Sequence, residues 1–122
     1  NIRQYSFHDF DPNIIKLSAE TQEIAAKIQK DERYNLVLFS ESKDYYGQNY
    51  RYFLTTIANK APLDPDFDDI ADVGTLLIVN ELGLTQADIL ASPIYELATF
   101  KSASYQQIFQ TKTGTEFQIW RK

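Results

Sequence analysis

The chain is 122 residues long, carries a formal net charge of −5 and contains no cysteine or methionine. That length fits one domain able to bury a core without metal or disulfide support. The missing cysteines exclude disulfides, thiolate metal sites and a cysteine nucleophile. The acidic balance, with lysines and arginines scattered, excludes the basic stripe that nucleic-acid binding needs and opposes docking on an anionic lipid surface.

Residues 1–13 show no period and read as a lead-in whose aromatics Tyr5, Phe7 and Phe10 dock on the body. Its His8 is the only histidine, with no partner spacing for a metal site or triad, and reads as an ordinary residue. Thr21, Ile24, Ala25 and Ile28 fall at helical spacing, with Glu20, Gln22, Glu23, Lys27 and Lys30 on the wet side. This predicts an amphipathic helix over 18–31 with Ser18 as N-cap. Residues 34–39 (YNLVLF) and 75–80 (TLLIVN) are short runs apolar on both faces, as expected of central strands under helices. Between them, Tyr46, Tyr50, Phe53, Leu54 and Ile57 define one face of a second helix over 46–59, ended by Ala61-Pro62.

The acidic run Asp64, Asp66, Asp68, Asp69, Asp72 invites comparison with a calcium loop. The glycine and glutamate that an EF-hand requires at its sixth and twelfth positions are here Asp69 and Thr75, so the pattern fails; the run reads as the acidic start of a short helical turn, with a weak divalent-cation site as the alternative. Residues 81–92 form a polar connection with room for a helical turn, and 95–100 are expected to be extended. Residues 104–111 and 115–121 form a β-hairpin across Lys112-Thr113-Gly114, with Gly114 at positive φ. Phe117 and Ile119 face the core, and Glu116, Gln118 and Trp120 face the opposite way. The expected fold is a small α/β sandwich with a mixed sheet, two main helices and a C-terminal β-hairpin. Its first two strands are parallel through a helical crossover and its hairpin is antiparallel to its neighbour.

No glycine loop for phosphate and no nucleophile elbow is present. Ligands of open α/β sheets gather beyond the carboxyl ends of the strands. Glu41 and Glu81, which follow the two parallel strands, are therefore the candidate binding residues, joined by Tyr45 and Tyr52, the tyrosines off the buried stripe of the second helix. Two carboxylates there also admit a small free-standing hydrolase, and the exposed tyrosines admit a glycan- or peptide-binding module. No cofactor or metal is called for. No apolar run nears the roughly 20 residues that cross a bilayer; with no methionine, the chain is expected to be a processed protein or, the favoured reading, a fragment of a longer protein whose targeting signals lie elsewhere.

Several segments taken together resemble a known family. YNLVLFSE (34–41), YRYFLTTIANKAP (50–62), VGTLLIVNE (73–81), SPIYELATF (92–100) and the terminal FQIWRK (117–122) follow the order of the C-terminal extracytoplasmic domain of bacterial GT-C type membrane glycosyltransferases, of the dolichyl-phosphate-mannose protein mannosyltransferase or ArnT-like class. The likeness covers most of the chain from Ser18 onward and rests on packing motifs. It implies an accessory domain of residues 18–122, behind a lead-in of 1–17 that follows a transmembrane helix, on the outer face of the cell membrane. The partner it implies is the membrane domain of the same polypeptide, together with a polyprenyl-phosphate sugar or an acceptor glycan or protein. The catalytic acid of such enzymes belongs to the membrane part, so no catalytic residue transfers to this chain. Arg51 and Glu96 sit in matching segments and suggest a structural ion pair. Some relatives carry cysteines after the second strand; here residues 80–84 are Asn-Glu-Leu-Gly-Leu, which excludes a disulfide there.

Overall fold

The computed structural model describes residues 12–41, 47–56, 58–63, 73–98, 100 and 105–122. Their order is α1 (Pro12–Ala25), β1 (Tyr34–Phe39), α2 (Gln48–Thr56), β2 (Thr75–Asn80), α3 (Gln86–Leu90), α4 (Tyr95–Ala98), β3 (Tyr105–Gln110) and β4 (Glu116–Arg121). The four strands form one mixed sheet in the order β1-β2-β4-β3. β1 and β2 are parallel with Tyr34 opposite Thr75, and β4 runs antiparallel to both β2 and β3. The mixed α/β sandwich and the strand directions expected from the sequence are therefore present, but β1, expected as a central strand, is an edge of the sheet, its apolar run explained by burial on both faces.

Alternation along the strands builds two cores. On one face, Leu36, Leu38, Leu77, Val79, Phe117 and Ile119 pack with Ile24, Ala25 and Ile28 of the α1 segment and with Tyr50 and Leu54 of α2. On the other, Val37, Phe39, Leu76, Ile78 and Trp120 pack with Ile89 of α3, Leu97 of α4 and Phe100. Strands covered on both sides have no wet face, which is why the runs in β1 and β2 are uniformly apolar and every residue in them is buried.

Three further expectations are corrected. The first helix spans 12–25 rather than 18–31, so it takes in part of the segment read as lead-in. Pro12 suits a first helical turn, where its missing N–H is not needed. Ser18 lies inside the helix, its carbonyl accepting from the Thr21 hydroxyl at 2.9 Å. The helix stops early because Lys60, arriving from beyond α2, places its ammonium on the carbonyls of Ala25 and Ile28 at 2.6 and 2.5 Å, a cationic cap on the negative end of the helix. Past Ala25 the backbone tightens to i→i−3 bonds, Lys27 to Ile24 and Ile28 to Ala25, so Ile28 reaches the core from outside the helix. Glu20, assigned to the wet side, is 2% exposed. Residues 95–98 form a helical turn rather than an extended segment, and this turn carries Leu97 into the second core. The lead-in 1–11 with His8, and the acidic run 64–72, lie outside the described residues.

Gly47, at the entrance to α2, has φ +71, and a Cβ there would meet Leu36 Cδ2 at 3.1 Å and Leu38 Cβ at 3.2 Å. Only glycine permits both that conformation and that approach of the chain to β1. At the amino end of β2, Arg121 grips Glu32 through Nε at 2.8 Å and Nη2 at 3.0 Å, while the Thr75 hydroxyl and the Gln29 N–H donate to the same carboxylate at 2.6 and 2.9 Å. These donors, Arg121 foremost, lower the Glu32 pKa from 4.5 to about 2 against the opposing effect of burial. A depressed carboxylate stabilises the fold fully above its unfolded value and loses that contribution as pH falls through the folded one. Thermal melts of the wild-type chain are expected to lose stability as pH falls from about 4.5 to about 2. A Glu32→Gln variant, less stable near neutral pH, should show a flatter profile across that window.

Candidate functional site

A cleft of about 630 Å³ opens at the carboxyl end of β2. Lys16, Leu17 and Glu20 of α1 form one wall, Asn80, Glu81 and Gly83 the floor, and Gln110, Thr113, Gly114, Thr115 and Glu116 of the hairpin the other wall. The hairpin holds its place through its turn. Thr111 N–H donates to Thr115 O and Gly114 N–H to Thr111 O, both at 2.9 Å, with Gly114 at φ +94. This is a three-residue loop closed by a glycine bulge, and it gives Gly114 the positive φ expected of it.

Each carboxylate in the cleft ties one element to another. Glu20 Oε2 accepts from the Thr113 hydroxyl at 2.7 Å and the Thr111 hydroxyl at 3.1 Å, and Glu23, one turn on, accepts the Lys112 N–H at 3.0 Å. These bonds hold α1 against the hairpin and explain how an acidic side chain can be buried there. Glu81 Oε2 accepts from the Tyr50 hydroxyl at 2.5 Å, which joins α2 to the end of β2. Burial first, then Glu81 and Glu20, push the Tyr50 pKa upward, so the phenol remains a donor throughout the range in which the protein folds.

Glu116 Oε2 accepts from Asn80 Nδ2 at 2.8 Å and Gln118 Nε2 at 3.0 Å. Asn80 also exchanges bonds with the N–H and C=O of Leu84, both at 3.0 Å, fixing the turn that leaves β2. Behind it, the fully buried Gln118 pairs reciprocally with the Gln86 amide, 2.8 Å each way, and accepts the Trp120 indole N–H at 2.9 Å. Among the described residues, no buried side-chain polar atom lacks a partner.

The candidate residues divide. Glu81 lies in the cleft. Glu41, at the end of β1, is exposed and does not line it, so the cleft does not unite the two glutamates. Tyr52 is 62% exposed, edge-on to Phe53 at 5.4 Å, and borders a separate shallow groove with Gln48, Asn49, Thr55 and Thr56 on the outer side of α2. Tyr45 and the Glu96 side chain lie outside the described residues. Arg51 is buried and donates to Leu63 O at 2.7 Å, Asn35 Oδ1 at 3.0 Å and Leu36 O at 3.0 Å. These three contacts clamp α2 and the chain at Leu63 onto β1.

Sequence reasoning placed Lys16 in the lead-in, Glu20 on the wet side of its helix and Glu116 on the hairpin's far face, and missed all three as cleft residues. The one signal for Glu116 was its pairing position opposite Asn80 at the end of the hairpin. Among the described residues no group of three or more His, Asp or Glu is placed to hold a metal ion, and no helix is long and apolar enough to cross a membrane. No protein family, curated protein or solved structure matches the chain.

Asn80→Ala removes one of the two donors to Glu116 and the side-chain partner of both Leu84 backbone groups. It is expected to cost about 1–3 kcal/mol in urea unfolding and to accelerate hydrogen exchange at the Leu84 amide. Unchanged exchange at Leu84 would contradict this role for Asn80.

Proposed function

We propose that this chain is a non-catalytic accessory domain of a polytopic membrane glycosyltransferase, working on the extracytoplasmic face of the membrane, and that its cleft engages a hydroxyl-rich portion of the acceptor. The observation that carries this reading is that two residues of one segment underlying the family resemblance, Asn80 and Glu81, lie in the floor of the cleft, with Glu81 tied to another such segment through Tyr50. Tyr50 and Arg51 of the YRYFL segment, and Asn80 and Glu81 of the strand ending, are joined by the Tyr50–Glu81 bond, while Arg51 fixes the same helix to β1. Motif residues that build the floor of a cleft fit a domain that positions a ligand for chemistry performed elsewhere in the polypeptide.

The lining favours an acceptor over a phosphorylated donor. Three carboxylates (Glu20, Glu81, Glu116) face one ammonium (Lys16) around the cleft. That excess of negative charge repels phosphate and leaves acceptors suited to hydroxyl or amino groups. The hydroxyls of Thr113 and Thr115 and the amide of Gln110 add groups that both donate and accept, as sugar recognition requires.

Two tests address the two halves of the proposal. The gene is expected to encode a multi-spanning membrane region ahead of Asn1; a gene without one removes the accessory-domain reading. In amide NMR titrations, neutral and amino sugars are expected to shift Gly83, Thr113, Gly114 and Thr115, whereas polyprenyl-phosphate head groups leave them unmoved. Spectra unchanged by every sugar would remove the ligand assignment.

A further inference from the structure

The two edges of the sheet are treated differently. β1 is buried along its length, and its outward carbonyls at Tyr34 and Leu36 are taken by Leu63 N–H at 2.9 Å and by Arg51 at 3.0 Å. Among the described residues, β3 has no such cover. Its sequence, YQQIFQ, contains no charge and no proline, its register with β4 is unbroken, and Tyr105 and Ile108 are 49% and 56% exposed. Edge strands normally carry a charge, a proline or a bulge to prevent pairing with another chain. β3 carries none of these.

The hydrogen-bond pattern specifies what fits. Thr111 N–H bonds to Thr115 O, and partners alternate along an antiparallel ladder. Phe109, Gln107 and Tyr105 therefore turn their backbone groups toward β4, while Gln106, Ile108 and Gln110 turn theirs outward. The bond from Lys122 N–H to Gly74 O on the far side of β4 agrees with this phase. We propose that β3 pairs antiparallel with β3 of a second copy of this chain, about a two-fold axis through Ile108. In that register Ile108 lies opposite its own copy and Gln106 opposite Gln110. Every outward N–H meets an outward carbonyl, and the two sheets become one. A neutral strand allows this self-pairing in a chain of net charge −5, since no like charges are placed opposite one another. The pairing also covers the exposed Ile108 with its symmetry mate. Of the paired residues, Gln110 also borders the cleft, while Ile108 and Gln106 do not line it.

Sedimentation equilibrium of the 122-residue chain is expected to show a reversible dimer between micromolar and millimolar concentration. Ile108→Lys places two ammonium groups opposite each other and is expected to weaken association by at least about tenfold, with the circular-dichroism melt retained because the side chain is exposed. The chain has no cysteine, so Ile108→Cys reports the register directly. Opposed residues of a hydrogen-bonded pair stand about 5.5 Å apart at Cα, within disulfide reach, and oxidation is expected to link two copies far faster than it links Leu90→Cys. A chain that stays monomeric throughout, a dimer indifferent to Ile108→Lys, or equal cross-linking of the two cysteine variants would overturn the proposal.

Discussion

The hydroxyl of Tyr50 meeting the carboxylate of Glu81 is the contact on which the working end of this molecule depends. β1 and β2 are parallel, so the chain must leave one strand, cross over through α2 and re-enter the sheet at the far end. The crossover fixes only roughly where α2 lies along the sheet. The Tyr50–Glu81 bond sets its position at the carboxyl end, and Arg51, one residue further, sets its rotation against β1. A tyrosine is suited to the first task because its ring fills the core, 2% exposed, while its hydroxyl reaches the rim.

The same device recurs around the cleft. Glu20 holds α1 to the hairpin, Glu116 holds the hairpin to β2, and Gln118 holds the hairpin to α3 through Gln86. Removing one partner of such a bond leaves a buried polar group without its mate, which costs more than the bond itself contributes. The cleft walls are consequently set before any ligand arrives, and a ligand need not order them. At the opposite end of the sheet, Glu32 and Arg121 perform the corresponding task, joining the turn after α1 to the last strand.

What was legible in the sequence follows from how local each cause is. β1 and β2 were readable to the residue, because strands covered on both faces require unbroken apolar runs. The hairpin was readable because its glycine bulge is local chemistry. The bounds of α1 were not, since its end is fixed by Lys60, distant in sequence, and its start by a proline that no apolar period marks. Leu97 looked extended because a single helical turn is too short to display a period of 3.6. For the site, proximity to the strand ends pointed correctly to Glu81, yet Glu20 could not be found this way. A glutamate on a helix belongs in water unless hydroxyls from the hairpin reach it, and nothing in residues 18–31 announces Thr111 and Thr113. Arg51 donates to the Leu63 and Leu36 carbonyls and to the Asn35 side-chain oxygen, contacts that no spacing rule encodes; the Glu96 side chain suggested as its ion-pair partner lies outside the described residues.

A double-mutant cycle on Tyr50→Phe and Glu81→Gln, measured by urea unfolding, tests the central contact most directly. If the phenol and the carboxylate fix α2 to the end of β2, the two substitutions will be non-additive, with a coupling of about 1–2 kcal/mol. Effects that add to within about 0.3 kcal/mol would mean that the two side chains act independently and that α2 is placed by apolar packing alone.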